Sequence, residues 1–108
     1  MADGKLWTQP DRFGNEIYLT AERWAHIIAP DNHPELKPYF EHVRETIRKG
    51  RRKQDAFDLR SWEYFHPFSN LPLDYTHIVV AVRFRWTTDP DGTEREEKFV
   101  KTAYFQAR

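Results

Sequence analysis

The chain is 108 residues long, with 17 basic and 17 acidic side chains, 16% aromatic residues and no cysteine. That length suits one domain with a modest core built more on rings than on aliphatic side chains. Balanced charge excludes a generic electrostatic pull toward nucleic acid or membrane and leaves only local patches to steer a partner. The lack of cysteine excludes disulfides, thiolate catalysis and cysteine-ligated metals.

Residues 1–15 read as a polar lead-in, in which Leu6 and Trp7 can dock on the body and Pro10 and Gly14 mark turns. This stretch has no apolar signal core, and no run in the chain approaches membrane-spanning length. The sequence therefore reads as a cytoplasmic protein with no membrane partner, and residues 16–108 read as its single domain.

Glu16 to Leu19 is a short extended piece. Thr20 has the chemistry of an N-cap, and Glu22 sits in the first turn, where a carboxylate favours the helix dipole. A first helix follows from Ala21 to Ala29, with Trp24, Ile27 and Ile28 on one face. His26 falls nearly opposite that stripe, one turn after Glu22. Pro30 and Asp31-Asn32-His33 end the helix, and Pro34 suits the first position of a second one. Leu36, Tyr39, Phe40, Val43 and Ile47 form its apolar stripe, and Gly50 is its stop. The basic run Arg48-Lys49-Gly50-Arg51-Arg52-Lys53 straddles that end. It reads either as a helix terminus with a solvated loop or as a phosphate-facing edge, with Arg48, Arg51 and Arg52 as the contacts.

Beyond Gln54 the period changes from helical to alternating. Gln54 to Leu59 reads as one strand, Ser61 to Phe68 as a second and SNLPLDY (69–75) as a loop. Thr76 to Trp86 is the most apolar and β-branched run, and so reads as the central strand. Its alternation puts Ile78, Val80, Val82, Phe84 and Trp86 on a core face and His77, Val79, Ala81, Arg83 and Arg85 on the other. Asp89-Pro90-Asp91-Gly92 is a turn, and Glu96 to Phe105 is the last strand. The expected fold class is α+β: two N-terminal helices packed on one face of an antiparallel sheet of about four strands.

The last hairpin has two possible registers. A four-residue loop pairs Thr88 with Thr93; a three-residue loop with a glycine bulge pairs Asp89 with Thr93 and shifts every later pair by one. Burial selects the first, because it sets Phe99, Ala103 and Phe105 beside the core face and leaves only Lys101 out of place. The other face then gathers His77, Arg83, Arg85, Lys98, Thr102 and Tyr104.

Such a face has the chemistry to hold a phosphate and move protons around it. Cleaving RNA without a metal needs a base for the 2′-hydroxyl proton, an acid for the leaving 5′-oxygen, and cations or donors on the phosphorane. Histidine supplies the first two near neutral pH, and arginine forks onto phosphate oxygens. The five histidines are His26, His33, His42, His66 and His77. None has the spacing of a metal motif, and there is no Gly-rich phosphate loop or nucleophile elbow, so no metal or cofactor is expected. Read from spacing alone, His26 and His42 are exposed helix residues, His33 opens a helix and His77 has a structural place at a strand start. Trp62, Tyr64, Trp86 and Tyr104 offer more rings than this core can hold, and those left outside can stack bases.

The stretches IYLTAERWAHIIA…HPEL, HIVVAVRF and FVKTAYF, in this order and spacing from about Ile17 to Phe105, resemble the phage-associated branch of the barnase/EndoU/colicin/RelE-type nuclease superfamily. The resemblance implies short helices followed by an antiparallel sheet and a metal-independent RNA-cleaving activity, often that of a toxin or effector domain. It matches the helix histidine to His26, the basic residue closing the central strand to Arg83 (where lysine is more usual), and the hydroxyl and phenol of the last strand to Thr102 and Tyr104. Arg85 and Lys98 would add charge for RNA. A toxic nuclease would also need an antitoxin or immunity protein as partner. The expected function is a small endoribonuclease; the alternative is a non-catalytic RNA-binding or protein-interaction domain on the same fold.

Overall fold

A computed structural model describes residues 4–108. A hairpin precedes the helices: β1 (Lys5–Pro10) and β2 (Glu16–Thr20) pair antiparallel. The helix α1 (Ala21–Ile27) follows, then a 3-10 segment (Pro34–Tyr39) that continues into α2 (Phe40–Lys49). Four more strands complete the chain: β3 (Arg51–Gln54), β4 (Ser61–Pro67), β5 (His77–Thr88) and β6 (Glu94–Gln106). All six strands form one sheet in the order β1-β2-β6-β5-β4-β3, in which β2 and β6 are parallel and the other neighbours antiparallel.

The class is α+β, but the expected four-strand antiparallel sheet behind two N-terminal helices is corrected to a six-strand mixed sheet with a hairpin ahead of the helices. The missed strand β1 lies in the stretch read as a polar lead-in. Its buried positions are Trp7 and Gln9, so one ring and one amide are all that mark its inner face. Apolar alternation, the usual strand signal, is absent there.

Local chemistry sets the helix ends. Thr20 is extended, and its hydroxyl accepts a hydrogen bond from the Arg23 amide at 3.1 Å, so β2 passes directly into α1. Pro34 starts the 3-10 segment and Pro38 lies inside it, removing a helical donor, and regular α-helix begins only at Phe40. The Gly50 amide donates to the Thr46 carbonyl at 2.9 Å and closes α2. A Cβ on Gly50 would stand 2.8 Å from the Phe65 carbonyl oxygen, so glycine is what lets β3 leave the helix this close to β4.

One face of the sheet holds the core. Ile27, Leu36, Val43 and Ile47 from the helical side pack on Ile17, Leu19, Tyr64, Ile78, Val80, Val82, Val100, Ala103 and Phe105. The sheet curls around α2 far enough for its two ends to meet. The tip of the β1–β2 hairpin reaches β4, where the Tyr64 hydroxyl donates to the Asp11 carboxylate. Beside it the Arg52 guanidinium lies 4.3 Å from the Phe13 ring centre and 4.1 Å from that of Trp62.

The β5–β6 hairpin takes the register that burial had argued against. The Asp89 amide bonds the Thr93 carbonyl at 2.8 Å, Gly92 has φ +87°, and Thr88 pairs with Glu94. Arg83 therefore faces Phe99 rather than Lys98, and Val79 faces Tyr104 rather than Thr102. The burial objection is met by a bulge. Val82 pairs with Val100 but Ala81 with Thr102, which leaves Lys101 as the extra residue and returns Ala103 and Phe105 to the core face. The residue out of place in the first register is the one the strand leaves unpaired.

The strand expected over Gln54 to Leu59 does not form: Gln54 ends β3, and Asp55 to Leu59 is a loop. The Asp55 carboxylate accepts from the Phe57 and Asp58 amides, and Asp58 accepts from the Arg60 amide and the Ser61 hydroxyl. These Asx-type bonds compete with a ladder and make the segment a loop.

Candidate nucleic-acid interface

The buried apolar residues of the helical side, Ile27, Leu36, Val43 and Ile47, all belong to the core cluster on one side of the sheet. The opposite side carries no helix among the described residues. Its layout follows from the pairing. Along β5 stand Val79, Ala81, Arg83 and Arg85; across from them on β6 stand Tyr104, Thr102, Phe99 and Glu97. On the other flank β4 sets Phe65, Glu63 and Ser61 beside Val79, Ala81 and Arg83. Arg51 and Lys53 of β3 lie opposite Phe65 and Glu63, and Tyr18 of β2 lies opposite Phe99. Val79 is fully buried, but Tyr18, Phe65, Phe99 and Tyr104 stay partly exposed on this face.

Rings and cations are interleaved. The Arg85 guanidinium is 4.9 Å from the Phe99 ring centre and Arg108 is 3.8 Å from that of Phe65. Arg51 and Lys53 are exposed and have no ion pair among the described residues. Arg83 is held: its Nη1 is 2.7 Å from Asp58 Oδ2. The Asp58 carboxyl sits below its ordinary pKa through the Ser61 hydroxyl and the Arg60 amide first, with the charges of Arg83 and Lys101 adding to them against burial. Arg85 bonds Glu97 at 2.9 Å, and that bond is the largest cause of Glu97's lowered pKa.

The Tyr104 hydroxyl donates to Glu63 Oε2 at 3.0 Å. Burial, followed by that carboxylate, pushes the phenol up to about 12, so it remains a donor at neutral pH. The His33 ring lies 6.2 Å from the Tyr104 ring, centre to centre. Glu63 and His33 thus flank Tyr104, and neither was singled out from the sequence. Glu63 has a readable signal in hindsight, because alternation from the buried Tyr64 puts it on the outer face.

The structure gathers Arg83, Arg85, Thr102, Tyr104 and Arg51 on this one face. It does not gather the rest of the expected set. His26 is exposed on α1, and its side chain makes no hydrogen bond, ion pair or ring contact among the described residues. Lys98 lies on the core side of β6, 5.4 Å from the Phe84 ring centre and 3.8 Å from Glu96, a consequence of the register shift. Arg48 bonds Glu45 on its own helix at 3.0 Å. Arg52 faces the core side and is taken up by Phe13, Trp62 and the Tyr64 hydroxyl. Among the described residues no group of three His, Asp or Glu side chains is placed to share a metal ion. No described helix is long and apolar enough to cross a membrane.

No family model, curated protein or solved structure matches this chain.

Proposed function

We propose that the protein binds single-stranded RNA across the helix-free face of its sheet and cleaves it without a metal, as a small cytoplasmic endoribonuclease of the toxin or effector kind. The reading rests on one observation: the face combines partly exposed rings at Tyr18, Phe65, Phe99 and Tyr104 with cations at Arg51, Lys53, Arg83 and Arg85. Bases stack on such rings and on guanidinium planes, while the cations track the backbone. Net neutrality does not oppose this, because a local patch can steer a partner: on this face Arg51 and Lys53 have no ion pair among the described residues, while Arg83 and Arg85 are paired with Asp58 and Glu97. Arg83, Thr102 and Tyr104 are the phosphate contacts of the reading, with the Tyr104 hydroxyl as donor. A protein of this activity requires a dedicated inhibitor in the cell that makes it.

A second reading, RNA binding without cleavage, is favoured by the pairing of Arg83 with Asp58 and of Tyr104 with Glu63, which occupies two of the contacts. Labelled RNA incubated in excess EDTA, followed by filter binding over a salt series, separates the readings. Cleavage is expected, with affinity that falls as salt rises. Phe65→Ala should weaken binding by the stacking of about one base, roughly 1–3 kcal/mol. Affinity without cleavage favours the second reading, and no affinity at low salt refutes both.

A further inference from the structure

β4 continues past Phe65, the partner of Arg51, to His66 and Pro67, where β3 no longer covers its edge. There the sheet opens into a cavity of about 330 Å³ lined by Pro67 together with Arg12, Lys49, Arg51, Phe65, His66 and His77. Among the described residues no carboxylate lines it. Its three fixed cations come from three different elements: the β1–β2 loop, the last turn of α2 and the start of β3. Lys49 is 3.4 Å from Glu45, which also holds Arg48. Arg12 donates to the Lys49 carbonyl at 3.4 Å, and the Arg51 side chain has no hydrogen bond, ion pair or ring contact among the described residues. Gathering like charges around a concave wall costs free energy unless an anion occupies it. Phe65 and Arg51 belong also to the helix-free face, so a strand of RNA lying there leads directly into this cavity.

The two imidazoles differ in how they are held. His77 Nδ1 is 2.7 Å from the Thr76 hydroxyl, which also accepts the Arg108 amide at 2.9 Å, and this leaves Nε2 as the free ring nitrogen. His66 packs its ring on Phe68 at 5.0 Å, and neither of its nitrogens has a partner among the described residues. The charged groups facing His66 are Glu45 and Lys49 of α2 and His77 of β5; the one facing His77 is Arg108. Burial is the largest influence on each and holds both pKa values below 6.5.

We propose that this cavity binds a phosphate group and that His66 and His77 are the acid–base pair for the RNA phosphodiester seated in it. The assignment of the pair rests on the ribonuclease reading; phosphate binding does not. One neutral imidazole takes the 2′-hydroxyl proton as O2′ forms its bond to phosphorus. The P–O5′ bond breaks, and the other imidazole, protonated, gives its proton to O5′. The products are a 2′,3′-cyclic phosphate and a 5′-hydroxyl, with the two histidines left in exchanged protonation states. Arg12, Lys49 and Arg51 hold the non-bridging oxygens.

Inorganic phosphate titrated into the protein, with the His66 and His77 ring signals followed by NMR, tests the pocket. Both signals should shift and both pKa values rise, and Arg51→Ala should weaken binding about tenfold. Phosphate that moves neither ring overturns the pocket. RNA cleavage in EDTA tests the pair. The wild-type rate should be bell-shaped in pH, and His66→Gln and His77→Gln should each lower it at least about 100-fold while RNA still binds. Wild-type cleavage that both variants retain overturns the pair and leaves the ribonuclease reading standing. Histidine signals that respond to phosphate in a protein that leaves RNA intact overturn that reading and the pair together, and keep the pocket.

Discussion

Tyr64→Phe removes a single oxygen from the place where the curled sheet is tied to itself. Tyr64 is fully buried, and its hydroxyl donates to Asp11, at the far end of the strand order. The Asp11 carboxylate also accepts from the Phe13 amide at 2.8 Å and from the Asn15 amide and side chain at 2.8 and 3.0 Å. Burial is the largest single influence on Asp11 and would raise its pKa. The bond from Tyr64 and those from Asn15 and Phe13 together outweigh it and hold the pKa below 3.8. A hydrogen bond to a charged acceptor contributes about 1.5–3 kcal/mol. Asp11 keeps three other donors and some solvent when Tyr64 loses its hydroxyl, so the loss belongs at the low end, about 1.5 kcal/mol. For a domain of this size that is roughly 6–10 °C in Tm. The lowered pKa fixes the sign with pH. The contribution is present above the unfolded value near 3.8 and is lost as pH falls through the lower folded value. Urea unfolding of wild type, Tyr64→Phe, Asp11→Ala and the double variant gives the coupling directly. About 1 kcal/mol is expected at pH 7, shrinking toward zero in acid. A Tyr64→Phe midpoint equal to that of wild type would refute the tie.

Gly50→Ala should destabilise by about 1–3 kcal/mol in urea, as overpacking does, because its Cβ would press first on the Thr46 carbonyl oxygen and then on that of Phe65 at 2.8 Å. An unchanged midpoint would show that the chain leaving α2 can shift away from both carbonyls at no cost. The lowered pKa values of His66 and His77 mean that the unfolded chain binds more protons as pH drops through 6.5. Urea stability should therefore fall between pH 7 and pH 5, and the fall should flatten in the His66→Gln, His77→Gln double variant. Stability that rises toward pH 5 would contradict the burial of both rings.

The legible parts of the fold are those where one residue's chemistry dominates. Thr20 supplies the cap that its hydroxyl promised, Gly50 ends α2, and the β-branched run of β5 is the strand at the heart of the sheet. Segments that hold their place through tertiary contacts were not legible. β1 is kept in the sheet by pairing with β2 and by two inward residues. β3 is four charged or polar residues, RRKQ, whose strand form comes from the neighbouring β4. Propensity alone assigns such a segment to a loop.

The functional face was half legible for the same reason. Alternation within β5 placed Arg83 and Arg85 correctly on the outer side, because one strand carries its own period. Lys98 was misplaced because its side depends on the turn, and the turn took the glycine-bulge closure with a second bulge at Lys101 restoring burial beyond it. Two bulges cancel in the core and do not cancel between them, so the residues in that interval are the ones a burial argument misassigns. The histidine pair lay further from reach. His66 and His77 sit on opposite sides of adjacent strands, opposite Ile78 and Pro67. A reading organised by faces therefore separates them. They line one cavity only because β3 begins at Arg51 and leaves the edge of β4 beyond Phe65 open beside the end of α2. Where a strand stops short of its neighbour is set by the turn that feeds it, here Gly50 against the Phe65 carbonyl, and that contact carries no periodic signature.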